Sequence, residues 1–216
     1  MCFSATASFV AGTALFGAGV LALRLARSPA ERPFAAIPLL FAIQQITEGF
    51  VWLSFGWSLP GLNAALTQIY SFFSHVLWPV YVPIATWLIE PQRGRRLQLA
   101  SLAAGGSVVG LFLLYSMFNF PIKAQLAGGH IDYVSPHFYL PVVMILYLAA
   151  TTGSMLLTSH RMVRLFGALA LVASAVTYLT YARWFISVWC FSAAVLSVIV
   201  CLHMGGRRNH GAAAPA

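Results

Sequence analysis

Charge is what this sequence has least of. Only 7% of its 216 residues are charged, against 60% hydrophobic, and four are acidic: Glu31, Glu48, Glu90 and Asp132. A soluble domain carries roughly a quarter charged residues, because its surface faces water. So few carboxylates cannot dress a soluble surface of this size, and a mean hydropathy of +0.84 points to lipid as the solvent. Cysteine is also sparse. Cys2, Cys190 and Cys201 are odd in number and show no C-x-x-C spacing, which argues against a disulfide framework. No basic segment precedes the first apolar run, so a cleavable signal peptide is not expected and the first helix should remain in the mature protein. The net charge of +8 comes without an aromatic-basic patch or a known binding module, so nucleic acid is not an expected partner.

What the chain has instead is apolar runs of about 20 residues, the length that spans a bilayer as a helix. They are Ala5–Leu25, Pro33–Leu53, Ala65–Leu88, Leu97–Phe118, His137–Thr158, Met162–Tyr181 and Trp184–Leu202. The expected fold is therefore an all-α integral membrane bundle of seven transmembrane helices over residues 1–204. A small, polar tail at 205–216 is expected to be disordered. Ser28-Pro29-Ala30-Glu31 reads as a capping box, Ser135-Pro136 as a second helix start, and Asn63 as a cap. The stretch from Asn119 to Pro136 is the longest connection. Gly106-xxx-Gly110 predicts close helix approach.

Basic residues orient the bundle. Arg24, Arg27, Arg32, Arg93, Arg95, Arg96, Arg161, Arg164, Arg207 and Arg208 all fall on one side of a seven-helix chain, and only Lys123 and Arg183 on the other. The positive-inside rule makes the arginine side cytoplasmic, with the N-terminus outside. The expected location is the bacterial cytoplasmic (inner) membrane, as a multi-pass protein with lipids as partners. Self-association into a homo-oligomer is left open.

Ionisable residues at membrane depth are costly and mark functional sites. Glu48 lies about 9 Å below the end of the second run, counted at 1.5 Å per residue. Gln44, Gln45 and Glu48 sit within one turn of each other, and Gln68, Ser71, His75 and Trp78 recur at three- and four-residue steps. Tyr178 and Cys190 fall at a comparable depth. The expectation is an outward-facing polar pocket binding a small molecule, ion or proton through Gln44, Gln45, Glu48, Gln68, Ser71, His75 and Tyr178, as in a transporter or sensor. Cys2 would lie close by and, after loss of Met1, would carry a thiol and an α-amine. Cys2, Glu48 and His75 together are suitable ligands for a divalent metal, zinc first. A zinc-activated water would then make a membrane hydrolase the alternative. The bland reading is that Glu48 hydrogen-bonds to Gln68, Ser71 or His75 as interhelical glue. His130, Asp132 and His137 form a separate candidate cluster in the long connection. His160 reads as an interfacial anchor and Cys201 as a packing residue.

The opening Met1-Cys2-Phe3-Ser4-Ala5 with Ala7-Ser8-Phe9, and the stretch Phe34–Ser54 reading FAAIPLLFAIQQITEGFVWLS, resemble the two signatures of an uncharacterised bacterial membrane-protein family that opens MCFSA-x-ASF. The resemblance implies a multi-helix membrane protein and adds weight to Cys2, Gln45 and Glu48, but implies no activity. Microbial rhodopsins fit poorly, because the last run lacks a lysine. The alkaline ceramidase and progestin-receptor superfamily fits poorly too, because that run lacks a histidine pair.

Overall fold

The computed structural model describes residues 4–57 and 59–212, and the chain is all-α apart from one small hairpin. The first signature residue within it, Ser4, caps helix α1 (Ala5–Leu25) by accepting the Ala7 N–H at 3.2 Å. α1 lies along α3 (Ile37–Gly56) through small side chains. A Cβ at Gly12 would sit 2.7 Å from Ile46, and one at Gly19 would sit 2.6 Å from the Leu39 backbone. Where lipid is as apolar as leucine, such close backbone approach replaces the hydrophobic effect as the packing force.

The link between these helices departs from expectation. Glu31 does not close a capping box on Ser28; its carboxylate accepts the Arg27 N–H at 2.8 Å, and a short helix α2 (Arg32–Ala35) follows. Pro33 explains the delay, since proline belongs at the first helical positions. Asn63 is likewise no cap: α4 (Pro60–Ser71) starts earlier, and Asn63 donates to Ser54 Oγ at 2.8 Å.

α4 runs through a π-helical turn, Phe72–Leu77, into α5 (Trp78–Ile89). The Trp78 N–H bonds Phe73 O, five residues back. Pro79 has no N–H with which to continue that pattern to Ser74 O. The freed Ser74 carbonyl is taken by the hydroxyl of Tyr147, on α7 (Pro141–Leu148). α6 (Arg93–Asn119) packs against this region through the anticipated glycines. A Cβ at Gly106 would lie 1.9 Å from the Pro79 carbonyl oxygen, and one at Gly110 would lie 2.7 Å from Val80.

The connection read as a plain loop contains an antiparallel hairpin, β1 (Lys123–Ala127) and β2 (His130–Val134), in register Ala127↔His130. Gly128 and Gly129 make the two-residue turn with φ of +56° and +78°, a conformation that L side chains rarely adopt. α7 starts at Pro141 rather than at Ser135-Pro136 and continues through a second π-helical turn, Ala149–Gly153, into α8 (Ser154–Leu157). α9 (Arg161–Tyr181) meets α10 (Phe185–Leu196) across a single 3₁₀ turn, Ala182–Trp184. The last helix, α11 (Val198–Ala212), carries helical backbone into the stretch expected to be a disordered tail. No proline interrupts it before Pro215.

Among the described residues, five helical stretches are long and apolar enough to cross a membrane: Ala5–Leu25, Arg32–Gly56, Pro60–Ile89, Arg93–Asn119 and the 46-residue Arg161–Gly206. Pro141–Leu157 is apolar but shorter.

At the end of the bundle opposite the hairpin, Glu90 joins two helix connections. Its carboxylate accepts the Ser159 N–H at 2.7 Å, the Thr158 hydroxyl at 2.8 Å and the Gln92 N–H at 3.1 Å. Burial pushes the Glu90 carboxyl up, but these hydrogen bonds outweigh it, and the pKa falls below the ordinary 4.5.

Two expectations follow. Gly106→Ala should lower the thermal midpoint in detergent by the equivalent of roughly 1–3 kcal/mol, the cost of overpacking. Gly105→Ala, with no atom within 4 Å of its Cβ, should be neutral or slightly stabilising. Because the Glu90 pKa is depressed on folding, its stabilisation is fully present above pH 4.5 and is lost as pH falls through the folded value. Thermal midpoints measured from pH 6 downward should fall less steeply in Glu90→Gln than in wild type (about pH 6 being where carboxylates are ionised).

Candidate buried polar site

α3 presents its polar residues to the centre of the hairpin half of the bundle. Gln44, Gln45 and Glu48 are all fully buried, at 0% exposure. Gln44 Oε1 accepts the Trp78 indole N–H at 2.7 Å, and the Trp78 ring stacks on Phe41 with centroids 3.9 Å apart. Glu48 Oε1 accepts the Ser187 hydroxyl of α10 at 2.8 Å. Cys190, one turn further along α10, lies beside the Gln44 and Tyr70 side chains and in the field of Glu48. Gln45 is different: neither its amide nitrogen nor its oxygen has a partner among the described residues. The same is true of the buried Ser71 hydroxyl on α4.

His75 occupies the π-helical turn, also at 0% exposure. Its Nδ1 is 2.8 Å from Ser74 Oγ and its Nε2 is 2.9 Å from Ser135 Oγ. Phe138 packs against the ring at 4.9 Å. Ser74 Oγ also lies 3.3 Å from Ser71 O. That second acceptor lets Ser74 donate away from the ring, so either imidazole tautomer is satisfied.

The structure thus brings Gln44, Glu48, Tyr70, Ser187 and Cys190 into one cluster, with the Gln45 amide one turn from Glu48 on the same helix. The other expected members fare differently. Glu48 is indeed held as interhelical glue, but by Ser187 and not by Gln68, Ser71 or His75. Gln68 instead donates to Ile122 O at 2.7 Å, fixing the approach to the hairpin. Tyr178 stands 50% exposed with its ring edge-on to Phe185. The hairpin covers the cluster: Tyr133 stacks on Tyr70 at 4.4 Å, and Ser135 reaches His75. The cluster is therefore covered at the hairpin end.

The proposed zinc ligands do not assemble among the described residues. Cys2 lies outside them, both His75 nitrogens face serine hydroxyls, and no group of three or more His, Cys, Asp or Glu side chains is placed to hold a metal. His130, Asp132 and His137 also diverge. His130 packs on Trp184, Asp132 pairs with Arg183, and His137 stacks on Phe120. His160 ties the ends of α5 and α9 together through Ile89 O at 2.9 Å, and Cys201 bonds Ala18 O of α1 at 2.9 Å.

Beneath the cluster lies a cavity of about 30 Å³, bordered by Phe41, Trp78, Tyr147, Thr151, Trp189 and Cys190. A buried water needs roughly 10–15 Å³ on this measure and also polar partners, which this apolar lining does not offer, so the space is a packing gap and no pore. Sequence reasoning found Gln44, Gln45, Glu48 and Cys190 by depth and polarity. It missed Tyr70, Tyr147, Ser135 and Ser187 as partners, because a tyrosine or serine in an apolar run carries no signal of which neighbour it bonds.

A profile of a family of unknown function, DUF6629, matches residues 1–216. The chain belongs to this family. No curated protein and no solved structure matches it. DUF6629 membership therefore brings no activity to the site, and its chemistry rests on the residues themselves.

The Gln44–Trp78 bond can be weighed directly. Trp78→Phe leaves a buried Gln44 oxygen unpaired and should cost about 1–3 kcal/mol. Adding Gln44→Leu should restore part of the loss, giving a coupling energy of about 0.5–3 kcal/mol in a thermal-unfolding double-mutant cycle. Additive single effects would mean the bond does not form.

Proposed function

We propose that this DUF6629 protein crosses the bacterial cytoplasmic membrane seven times, N-terminus outside, and binds a proton or a small polar solute at the cluster around Gln45 and Glu48. Length supports seven crossings. A helix of 46 residues would measure about 69 Å, more than twice the roughly 30 Å hydrocarbon core. The 3₁₀ turn Ala182–Trp184 is where such a stretch would fold back. With Pro141–Leu157 as a further crossing, the arginines gather at one end of the bundle, and the positive-inside rule places that end in the cytoplasm.

One observation carries the functional reading. Gln45 is wholly buried with a donor and an acceptor that nothing among the described residues engages. An unpaired amide in a membrane interior costs free energy that a folded protein does not ordinarily spend without return. A turn away stands the buried carboxyl of Glu48, a group whose protonation changes its hydrogen-bonding from acceptor to donor. Together they offer what a proton or a small polar molecule needs and little that an apolar ligand would use. The small cavity below favours binding or sensing over continuous conduction.

Infrared difference spectroscopy on purified protein tests this. A carboxyl C=O band that titrates with pH in wild type and disappears in Glu48→Gln is the expected result. Thermal shifts measured against a panel of small polar solutes should find any stabilising solute abolished in Gln45→Leu. A folded Glu48→Gln protein with an unchanged carboxyl region, and no solute that distinguishes Gln45→Leu from wild type, would overturn the reading.

A further inference from the structure

The hairpin end holds a second polar feature, outside the buried cluster. A cleft of about 440 Å³ lies between the hairpin and the α9–α10 junction, bordered by Gln125, Asp132, Tyr133, Ser135, Tyr139 and Arg183. Two of these are also the inner wall. Tyr133 stacks on Tyr70, which reaches Cys190, and Ser135 bonds His75. The layer made by Tyr133 of β2 and Ser135, one residue beyond the strand, thus stands between the cleft and the buried site.

The layer is held shut from the far side. Arg183 Nε donates to Asp132 Oδ2 at 2.9 Å, and Gln125 Nε2 donates to the same oxygen at 3.0 Å. Arg183 belongs to the short 3₁₀ turn, so this ion pair clips strand β2 to the top of α9 and α10. The arginine side chain is 58% exposed and that of Asp132 11%, so salt reaches the pair from the arginine side and the pair is a modest fastening. Beside it, Trp184 packs on His130 at 4.9 Å, and a Cβ on Gly128 would lie 3.0 Å from that indole. The hairpin is therefore fastened by side-chain contacts at its tip and edge, and among the described residues β2 pairs only with β1.

The alternative way in is lateral. A groove of about 470 Å³ between α4 and α6 is bordered by Ile69, Phe72, Leu114 and Phe118. It is almost wholly apolar, suited to an acyl chain and not to a hydrated solute. The cleft surface is mainly apolar too, but unlike the groove it is bordered by a carboxylate, a guanidinium, an amide and three hydroxyls.

We propose that the cleft beneath the β-hairpin is the entrance to the buried site for small water-soluble species, and that the Asp132–Arg183 ion pair is the latch that holds the hairpin over it. This rests on the cluster being a binding site, but its test does not involve the Glu48 proton, so the two can fail separately.

Cys190 is the reporter, buried at 3% exposure within the cluster. In full-length protein carrying Cys2→Ser and Cys201→Ser, Cys190 is labelled in detergent with a small, permanently charged thiosulfonate. Asp132→Asn and Arg183→Gln should each label about five-fold faster than the parent, the effect of losing a weak ion pair. Arg183→Lys, which keeps the charge, should stay near the parent rate. Raising the salt concentration should speed the parent but not Asp132→Asn. Equal near-UV circular dichroism and thermal midpoints in detergent would show that the faster variants remain folded. Equal rates in all four proteins would overturn the latch. Labelling by a lipid-soluble maleimide but never by the charged reagent would overturn the entrance, and would place access at the groove between α4 and α6.

Discussion

Pro79 has no N–H to give, and the centre of the bundle is arranged around the carbonyl it leaves behind. In lipid an unsatisfied backbone group has no water to turn to, so a proline within a spanning helix needs a protein partner nearby. Here the helix has already shifted to five-residue hydrogen bonding before the proline, and the orphaned carbonyl is that of Ser74. Tyr147 supplies the missing donor. Gly106 lets α6 approach until nothing fits between it and the Pro79 carbonyl. Three helices are thus fixed relative to one another by a single absent proton. π-helical turns recur at functional sites because they rotate side chains out of the regular register. This one sets His75 where it meets Ser135 of the connection beyond the hairpin.

That placement joins the fold to the site. A regular helix would carry Ser74 and His75 in the same register as Ser71 and Trp78. With the extra residue in the turn, Trp78 is delivered to Gln44 on α3 while His75 faces Ser135. The polar stripe read along α4 and α5 is therefore split between two destinations. One half completes the α3 cluster. The other half fastens the cover over it. Glu48 and His75, read from the sequence as joint ligands with Cys2 of one metal, stand on the two sides of this division. Glu48 meets Ser187 of α10, and both nitrogens of His75 are engaged by hydroxyls.

Much of the fold was legible because its signal is additive. Hydropathy summed over about 20 residues tolerates any single exception, and the helical stretches from Ala5 to Asn119 lie within a few residues of the runs read from sequence. Gly106 and Gly110 were legible as packing residues for the same reason, a repeat with one steric meaning. The hairpin was not seen. Gly128-Gly129 is a turn signal, and the arms on either side do alternate polar and apolar residues, but each is only five residues long and stands between apolar runs whose signal is far stronger. Their partners are aromatic rings from distant segments, Tyr70 and Trp184. Ser135 illustrates the limit for the site. Before a proline it reads as a helix start, and nothing local says that its hydroxyl is committed to a histidine 60 residues earlier. Buried residues could be ranked by cost from sequence, but partners are set by where π-helical turns and the hairpin aim them.

The distribution of satisfied and unsatisfied groups then has a direction. At the arginine end, the buried polar groups close on one another: Glu90 takes three donors, His160 bonds Ile89 O, and Arg95 bonds the Leu157 and Thr158 carbonyls. Near the hairpin end, Gln45 and Ser71 are left without partners among the described residues. Both ends face the same requirement that buried polar groups be paired, since each unpaired one costs about 1–3 kcal/mol. A protein whose stability is only about 5–15 kcal/mol meets that requirement where the only purpose is to hold helices together, as it does around Glu90. Near the hairpin end it is left unmet at several residues among those described, Ser8, Thr67 and Trp52 as well as Gln45 and Ser71, and of these Gln45 stands one turn from a buried carboxyl. The asymmetry between the two ends, more than any single residue, is what supports the proposed binding role over structural glue.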